Sequence, residues 1–472
     1  MVWPKIIQGG MGVGVSNWVL ARAVSRLGQL GVVSGTALDV VLARRLQDGD
    51  PGGHMRRALD RFPFPEMARR IRERYFIEGG RPADQPYRPV PVHAKSDVRE
   101  LLELCIAANF AEVFLAREGH DGLVGINYLE KIQIPILPSL YGAMLGGAAA
   151  ILMGAGIPLR VPGILDRFTH HEPATYSLSV TGAQEGDDTF LRFSPAEFLE
   201  CDLPPLARPA FVPIISSYTL ALTLTKKANG RVDGFVIEGP TAGGHNAPPR
   251  GKLQLTAKGE PVYGERDAVD LEKIRQLGLP FWLAGGRGTA QGLRDALGKG
   301  AAGIQVGTAF AFCEESGLLP EYRRSVLRKA ASGAASVFTD PTASPTGFPF
   351  KVAALEGSLS EEDEYLARTR ACDLGYLREA YRKEDGTVGY RCASEPLPVY
   401  LSKGGTEEDA RGRKCLCNSL LANIGHPQLR KDGVTERPLI TSGDDLSDIG
   451  RFLPQGASSY TARDVIVRLL DG

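Results

Sequence analysis

The sequence predicts a (β/α)8 TIM barrel with insertions and a C-terminal extension, and three observations carry that expectation. Short apolar runs alternate with helical patterns, which implies a parallel sheet. Eight such runs fall within the first 330 or so residues, the number a closed barrel needs. Glycine-rich turns follow several of them, at the strand ends where such barrels carry their chemistry. An open doubly wound sheet is the rival architecture.

Taken in order, the runs are Lys5 to Gln8, Gly31 to Ser34, Glu112 to Ala116, Ala149 to Gly154, Val212 to Ser216, Gly234 to Glu238, Phe281 to Ala284 and Gly303 to Val306. Helical patterns are read at Asn17 to Leu27, Tyr218 to Ala228, Ala268 to Leu277, Ala290 to Lys299 and Pro320 to Ala331. About fifty residues rich in Arg and Pro (43–91) separate the second run from the third, too many for a plain connection, so extra helices are expected there. Between the fourth and fifth runs, two alternating stretches flank Gly182 to Gly186, which predicts an inserted hairpin at about 176–193. The βα rhythm stops near Ala335. Residues 1–335 are therefore read as the barrel, and 336–472 as an extension packed on it.

The bulk properties exclude several classes. Lys plus Arg and Asp plus Glu both number 55, so net charge offers no attraction to nucleic acid or an anionic membrane surface. The charged run from Glu66 to Arg74 reads as a solvated helix face. Seven cysteines without a signal peptide suit a reducing compartment, and a cytoplasmic protein acting on a small molecule is expected. From Ile132 to Leu159 no residue is charged, but three prolines and five glycines break the segment into buried strand and small-residue helix rather than a membrane span.

The first glycine loop, Gly9-Gly-Met-Gly-Val-Gly14, has the outline of a dinucleotide-binding turn. Its spacing is wrong for one. Counted from Gly12, the third glycine of a G-x-G-x-x-G fingerprint is replaced by Asn17, and the following strand ends in Ser34-Gly-Thr36 instead of near an acidic residue.

The later loops are more informative. Glu238-Gly-Pro-Thr-Ala-Gly-Gly-His245 follows the sixth run, and its glycines let backbone approach a flat ligand. His245 at its end is placed to act as a general base or hydrogen-bond donor, the alternative being a histidine that only caps the loop. Ala284-Gly-Gly-Arg-Gly288 and Gln305-Val-Gly-Thr308 follow the seventh and eighth runs, where barrels form phosphate sites. Four glycine-lined loops thus point to one planar, phosphorylated ligand.

Together, Ile6-Ile-Gln-Gly-Gly-Met-Gly12, Ala242-Gly-Gly-His245, Ala284-Gly-Gly286 and Gln305-Val-Gly-Thr308 resemble the FMN-dependent nitronate monooxygenase (2-nitropropane dioxygenase-like) family. That family includes type II enoyl-acyl carrier protein reductases and the trans-acting enoyl reductases of polyunsaturated fatty acid synthases. The resemblance runs over roughly residues 4 to 315. It implies FMN as cofactor, with Gly10, Met11 and Gly12 against the isoalloxazine, Gly243 and Gly244 beside it, and Asn127 as a polar neighbour. It further implies Ala284, Gly285, Gly286, Gly307 and Thr308 at the phosphate end and His245 in catalysis. The implied activity is oxidation of a nitronate or similar small carbon acid with oxygen. NAD(P)H-dependent reduction of an enoyl thioester, with an acyl carrier protein as a further partner, is the alternative, and a flavin-binding partner subunit of a biosynthetic complex is a third reading.

Thr241 and Ala247 depart from the family, many of whose members carry an acidic residue and a glycine there. Cys372, Cys392, Cys415 and Cys417 lack the C-x2-C spacing of strong metal signatures and are read as structural thiols, with no metal expected.

Overall fold

A computed structural model describes residues 3–96 and 98–472. Eight parallel strands form the barrel: β1 (Ile6–Gln8), β2 (Gly31–Ser34), β3 (Val124–Leu129), β4 (Ala150–Gly154), β5 (Ala210–Ile215), β6 (Phe235–Glu238), β7 (Phe281–Ala284) and β8 (Gly303–Val306). Each pairs with its sequence neighbour from β2 to β8, and β8 pairs with β1. The seam between β1 and β2 closes through a parallel bridge, Ile7 to Leu30, in which the Gln8 N–H donates to the Leu30 carbonyl at 2.9 Å. The expected barrel is therefore present and the open sheet is not.

Seven of the eight predicted strands lie where they were read, to within about two residues. The third does not. Glu112 to Ala116 belongs to the helix Arg99–Arg117, and the third strand is Val124–Leu129. The run Val113-Phe-Leu-Ala has strand-like composition, but its two-faced burial is that of a helix buried along nearly its whole length. Glu112 decides its orientation by accepting from the Trp18 N–H at 2.9 Å and pairing with Arg45. A short apolar run cannot be assigned to strand or helix by periodicity alone.

Alternation along the strands sorts the core. Ile7, Val32, Leu152, Val212, Val236 and Trp282 point inward and fill the barrel, while the intervening residues pack beneath the surrounding helices. Local capping starts those helices. Asn17 accepts from the Leu20 N–H at 3.1 Å to begin Trp18–Ser25, which explains the asparagine where a dinucleotide loop needs glycine. Ser217 and Thr289 do the same for Tyr218–Lys227 and Ala290–Gly298.

The first insertion holds helices His54–Leu59 and Pro65–Tyr75, and on the second Arg69 bridges Glu66 and Glu73 at the surface. The hairpin insertion pairs Ala174–Ser177 with Phe190–Phe193, while Val180–Thr181 turns away to pair with Glu379–Arg382, beyond the barrel. Residues after 335 carry two short antiparallel pairs, Val337–Asp340 with Phe350–Ala353 and Glu379–Arg382 with Val388–Arg391. The uncharged segment 132–159 folds as helix Ile136–Leu145 and strand β4, and no helix among the described residues is long and apolar enough to cross a membrane.

Candidate active site

One cavity opens at the C-terminal ends of the strands, and all the site residues expected from sequence line it: Gly10, Met11, Gly12, Asn127, Gly243, Gly244, His245, Ala284, Gly285, Gly286, Gly307 and Thr308. Its accessible volume is about 200 Å³.

The first loop is held open by two buried side chains. Ser16 Oγ donates to the Gly9 carbonyl at 3.0 Å and accepts from the Met11 N–H at 3.0 Å, while Gln8 Nε2 donates to Ser16 Oγ at 2.8 Å. Gly10 faces β3 so closely that a Cβ would lie 2.4 Å from Asn127 Cβ, well inside contact distance. Gly285 adopts φ +87°, and a Cβ there would meet the Thr241 hydroxyl at 2.9 Å. Glycine is required at both positions by contact, and at Gly285 by conformation as well.

Inward alternation also delivers residues that motif reading missed. Glu238 and Gln305 are inward-facing positions near the ends of β6 and β8, in the same orientation as Asn127 on β3, and both line the cavity. The two-residue period of these strands was the available signal. Asn127 Oδ1 and Gln305 Oε1 are buried without a hydrogen-bond partner. Two unpaired carbonyl oxygens lining one cavity are costly unless a ligand donates to them.

Burial sets the charge state. It pushes the Glu238 carboxyl up to about 8 and the His245 imidazole down to about 4, so near neutral pH Glu238 keeps its proton and His245 is uncharged. Asp445 is also raised by burial.

The opposite wall comes from beyond residue 335, and sequence reading assigned it no site residue. Phe350, Leu420, Asn423, Ile440, Thr441 and Asp445 all line the cavity. Backbone bonds join this wall to the histidine turn: Lys351 N–H to the Gly244 carbonyl at 2.9 Å, Asn246 N–H to the Pro349 carbonyl at 2.9 Å, and Asp444 N–H to the Thr241 carbonyl at 3.0 Å. Thr441 Oγ1 accepts from the Gly244 N–H at 2.9 Å. Thr308 lines the cavity, but its hydroxyl accepts from the Gly443 N–H at 3.1 Å, and Asp445 bonds the same hydroxyl. No local motif announces these contacts, because they join positions a hundred or more residues apart.

Residues 207–340 match the family model "Nitronate monooxygenase". A probable nitronate monooxygenase of Bacillus subtilis is 35% identical over 20% of this chain and 26% of its own length. A nitronate monooxygenase of Pseudomonas aeruginosa is 35% identical over 25% of this chain and 32% of its own length. A third relative, (3aS,4S,5R,7aS)-5-hydroxy-7a-methyl-1-oxo-octahydro-1H-indene-4-carboxyl-CoA dehydrogenase of Mycobacterium tuberculosis, is 29% identical over 49% of this chain and 58% of its own length. The chain thus spans about a quarter to a third of the length of the first two relatives. The family match covers β5 to β8 and their loops and stops at residue 340.

The four cysteines of the C-terminal region are free; Cys392 and Cys415 are buried, and Cys372 and Cys417 are partly exposed. Among the described residues, no group of three or more histidine, cysteine or acidic side chains is placed to hold a metal ion.

Proposed function

We propose that the chain is an FMN-dependent oxidoreductase of the nitronate monooxygenase type, oxidising a nitronate or similar small carbon acid with oxygen in the cytoplasm. The observation that carries this reading is the convergence of four glycine loops and His245 on one cavity at the strand ends. The residues present fit a flavin. Asn127 Oδ1 and Gln305 Oε1 are unsatisfied acceptors where a ring N–H or ribityl hydroxyl would be welcome, and Gly10 and Gly285 let their loops pack directly against Asn127 and Thr241 at the cavity's edge. Gly10, Met11, Gly12, Asn127, Gly243 and Gly244 would hold the ring, with Ala284, Gly285, Gly286, Gly307 and Thr308 toward the phosphate. Bound there, FMN would supply the electron transfer that amino-acid side chains cannot.

The protein's own part is positioning and proton handling. An uncharged His245 takes or holds the substrate proton, Glu238 keeps its own proton at the end of β6, and Leu129, Ile214, Phe350, Leu420 and Ile440 keep water from the reacting atoms.

A second reading, NAD(P)H-dependent reduction of an enoyl thioester, is favoured by that apolar wall and by the carboxyl-CoA in the name of the M. tuberculosis relative. One anaerobic experiment separates the two. Bleaching of the yellow protein by a nitronate alone supports the first reading, bleaching by NADPH alone supports the second, and no bleaching by either points to a flavin-binding partner subunit. A colourless protein that cannot be reconstituted with FMN overturns all three.

A further inference from the structure

We infer that Ser344, contributed by the C-terminal extension, is a positioning residue for the reaction: it holds the Nε2 edge of His245, so that the ring meets the cavity through an unprotonated Nδ1. The inference rests on the function proposed above, and it adds a residue that lies outside the segment matching the family.

His245 Nε2 and Ser344 Oγ are 2.7 Å apart, the ring's one side-chain hydrogen bond among the described residues. Nδ1 has no such partner, and His245 lines the cavity. Rotating the ring by a half-turn about its bond to Cβ would put a carbon where Nε2 stands and break the contact with Ser344. The aromatic neighbours restrict the ring further: Phe350 lies 4.9 Å away at 70° and Phe348 6.4 Å away at 86°, both edge-on. Backbone bonds on either side, Lys351 N–H to Gly244 and Asn246 N–H to Pro349, fix where the imidazole starts. Ser344 therefore selects between the two remaining ring orientations.

Ser344 is itself rigid. It is fully buried, its carbonyl accepts from Arg413 at 2.7 Å, and the preceding turn is tied by Asp340, which accepts from the Thr342 and Ala343 amides at 2.8 and 3.0 Å. A serine hydroxyl has one proton to donate and two lone pairs. The Thr346 N–H at 3.2 Å uses one lone pair, and Thr346 Oγ1 stands 2.8 Å away, a contact in which either hydroxyl can donate; in the inferred arrangement the Ser344 proton goes to Thr346. The second lone pair is left for an Nε2–H. Burial holds the imidazole neutral, so a proton on Nε2 leaves Nδ1 as the bare base. The extension thus supplies the partner that fixes which nitrogen faces the substrate, a role that elsewhere falls to a carboxylate or carbonyl behind the histidine.

The test uses full-length protein labelled with 15N-histidine. The expected spectrum shows His245 protonated at Nε2 and bare at Nδ1. Ser344→Ala should lower kcat about ten- to a hundredfold, hold KM within about twofold, and give a mixed or reversed tautomer. Ser344→Thr should restore both readouts, and Thr346→Val should move them less in the same direction. If the alanine variant does not fold, Ser344→Cys, a poorer acceptor of similar size, takes its place. An Nδ1–H tautomer in the unmodified protein overturns the inference, as does an alanine variant that loses thermal stability while keeping kcat and tautomer. Where neither a nitronate nor an enoyl thioester is turned over, the proposed function fails on its own, and the spectrum alone decides the role of Ser344.

Discussion

The strand-end loops and the C-terminal extension face each other across one cavity, and they meet it differently. The loops after β1, β6, β7 and β8 offer largely backbone, with glycine at positions where a Cβ would collide, such as Gly10 and Gly285. The extension offers side chains, among them Phe350, Leu420, Ile440, Thr441 and Asp445. Backbone that must touch a planar ligand tolerates almost no substitution, whereas side chains on an added layer can change with the substrate. We therefore expect changes in the loops to cost cofactor or chemistry, and changes in the extension to alter positioning, stability and preference.

The largest effect should come from the turn where the two regions meet. His245→Ala is expected to slow turnover about 10²- to 10⁴-fold while FMN stays bound, read from steady-state rates and the flavin absorbance. An unchanged rate would remove its role in proton transfer. On the loop side, Gly10→Val should force the first loop away from Asn127, costing about 1–3 kcal/mol and leaving the purified protein pale, as measured by denaturant melts and flavin content.

Glu238→Gln tests the buried carboxyl at the end of β6. The folded protein holds the Glu238 proton up to about pH 8, whereas the unfolded chain releases it near the ordinary value of 4.5. Its contribution is thus complete below about pH 4.5 and is lost as pH rises toward 8. The glutamine variant should match the parent at pH 4 and exceed it by about 1–3 kcal/mol at pH 8, discounted for the carboxyl's opening to the cavity. Equal pH dependence of the two melting curves would show that the group is not held neutral.

Two substitutions probe the extension. Lys351 is 2% exposed and bonds Asp444 at 2.6 Å and Thr339 at 2.7 Å, so Lys351→Met should cost about 1–2 kcal/mol in a denaturant melt and loosen the segment leading to Asp445. Asp445→Asn removes a carboxylate beside Gly288 and Thr308. FMN, but not riboflavin, should then bind about threefold more tightly by equilibrium dialysis, a gain of the size expected for relieving one partly screened charge contact. Equal gains for both ligands would place the phosphate elsewhere.

Periodicity and glycine chemistry are local properties, and they made much of the barrel readable. Apolar runs bounded by turns located seven strands, and the loops after four of them pointed to a shared ligand site. Glu238 and Gln305 were legible in the same alternation, as inward positions near strand ends, but no motif draws attention to a single side chain there. The third strand failed because Val113-Phe-Leu-Ala has the composition of a strand, and only Glu112 reaching Trp18 and Arg45 shows that it lies on a helix.

The chain's own order of residues was enough for the barrel, its strand-end glycines and the histidine among them, since each follows from alternation, turn conformation and the space around a Cα. Folding alone brought Ser344 to the Nε2 of His245, Thr441 to the amide of Gly244 and Gly443 to the hydroxyl of Thr308. Those contacts join positions 99, 197 and 135 residues apart, and a hydrogen bond between such distant groups leaves no periodic trace in the sequence that makes it.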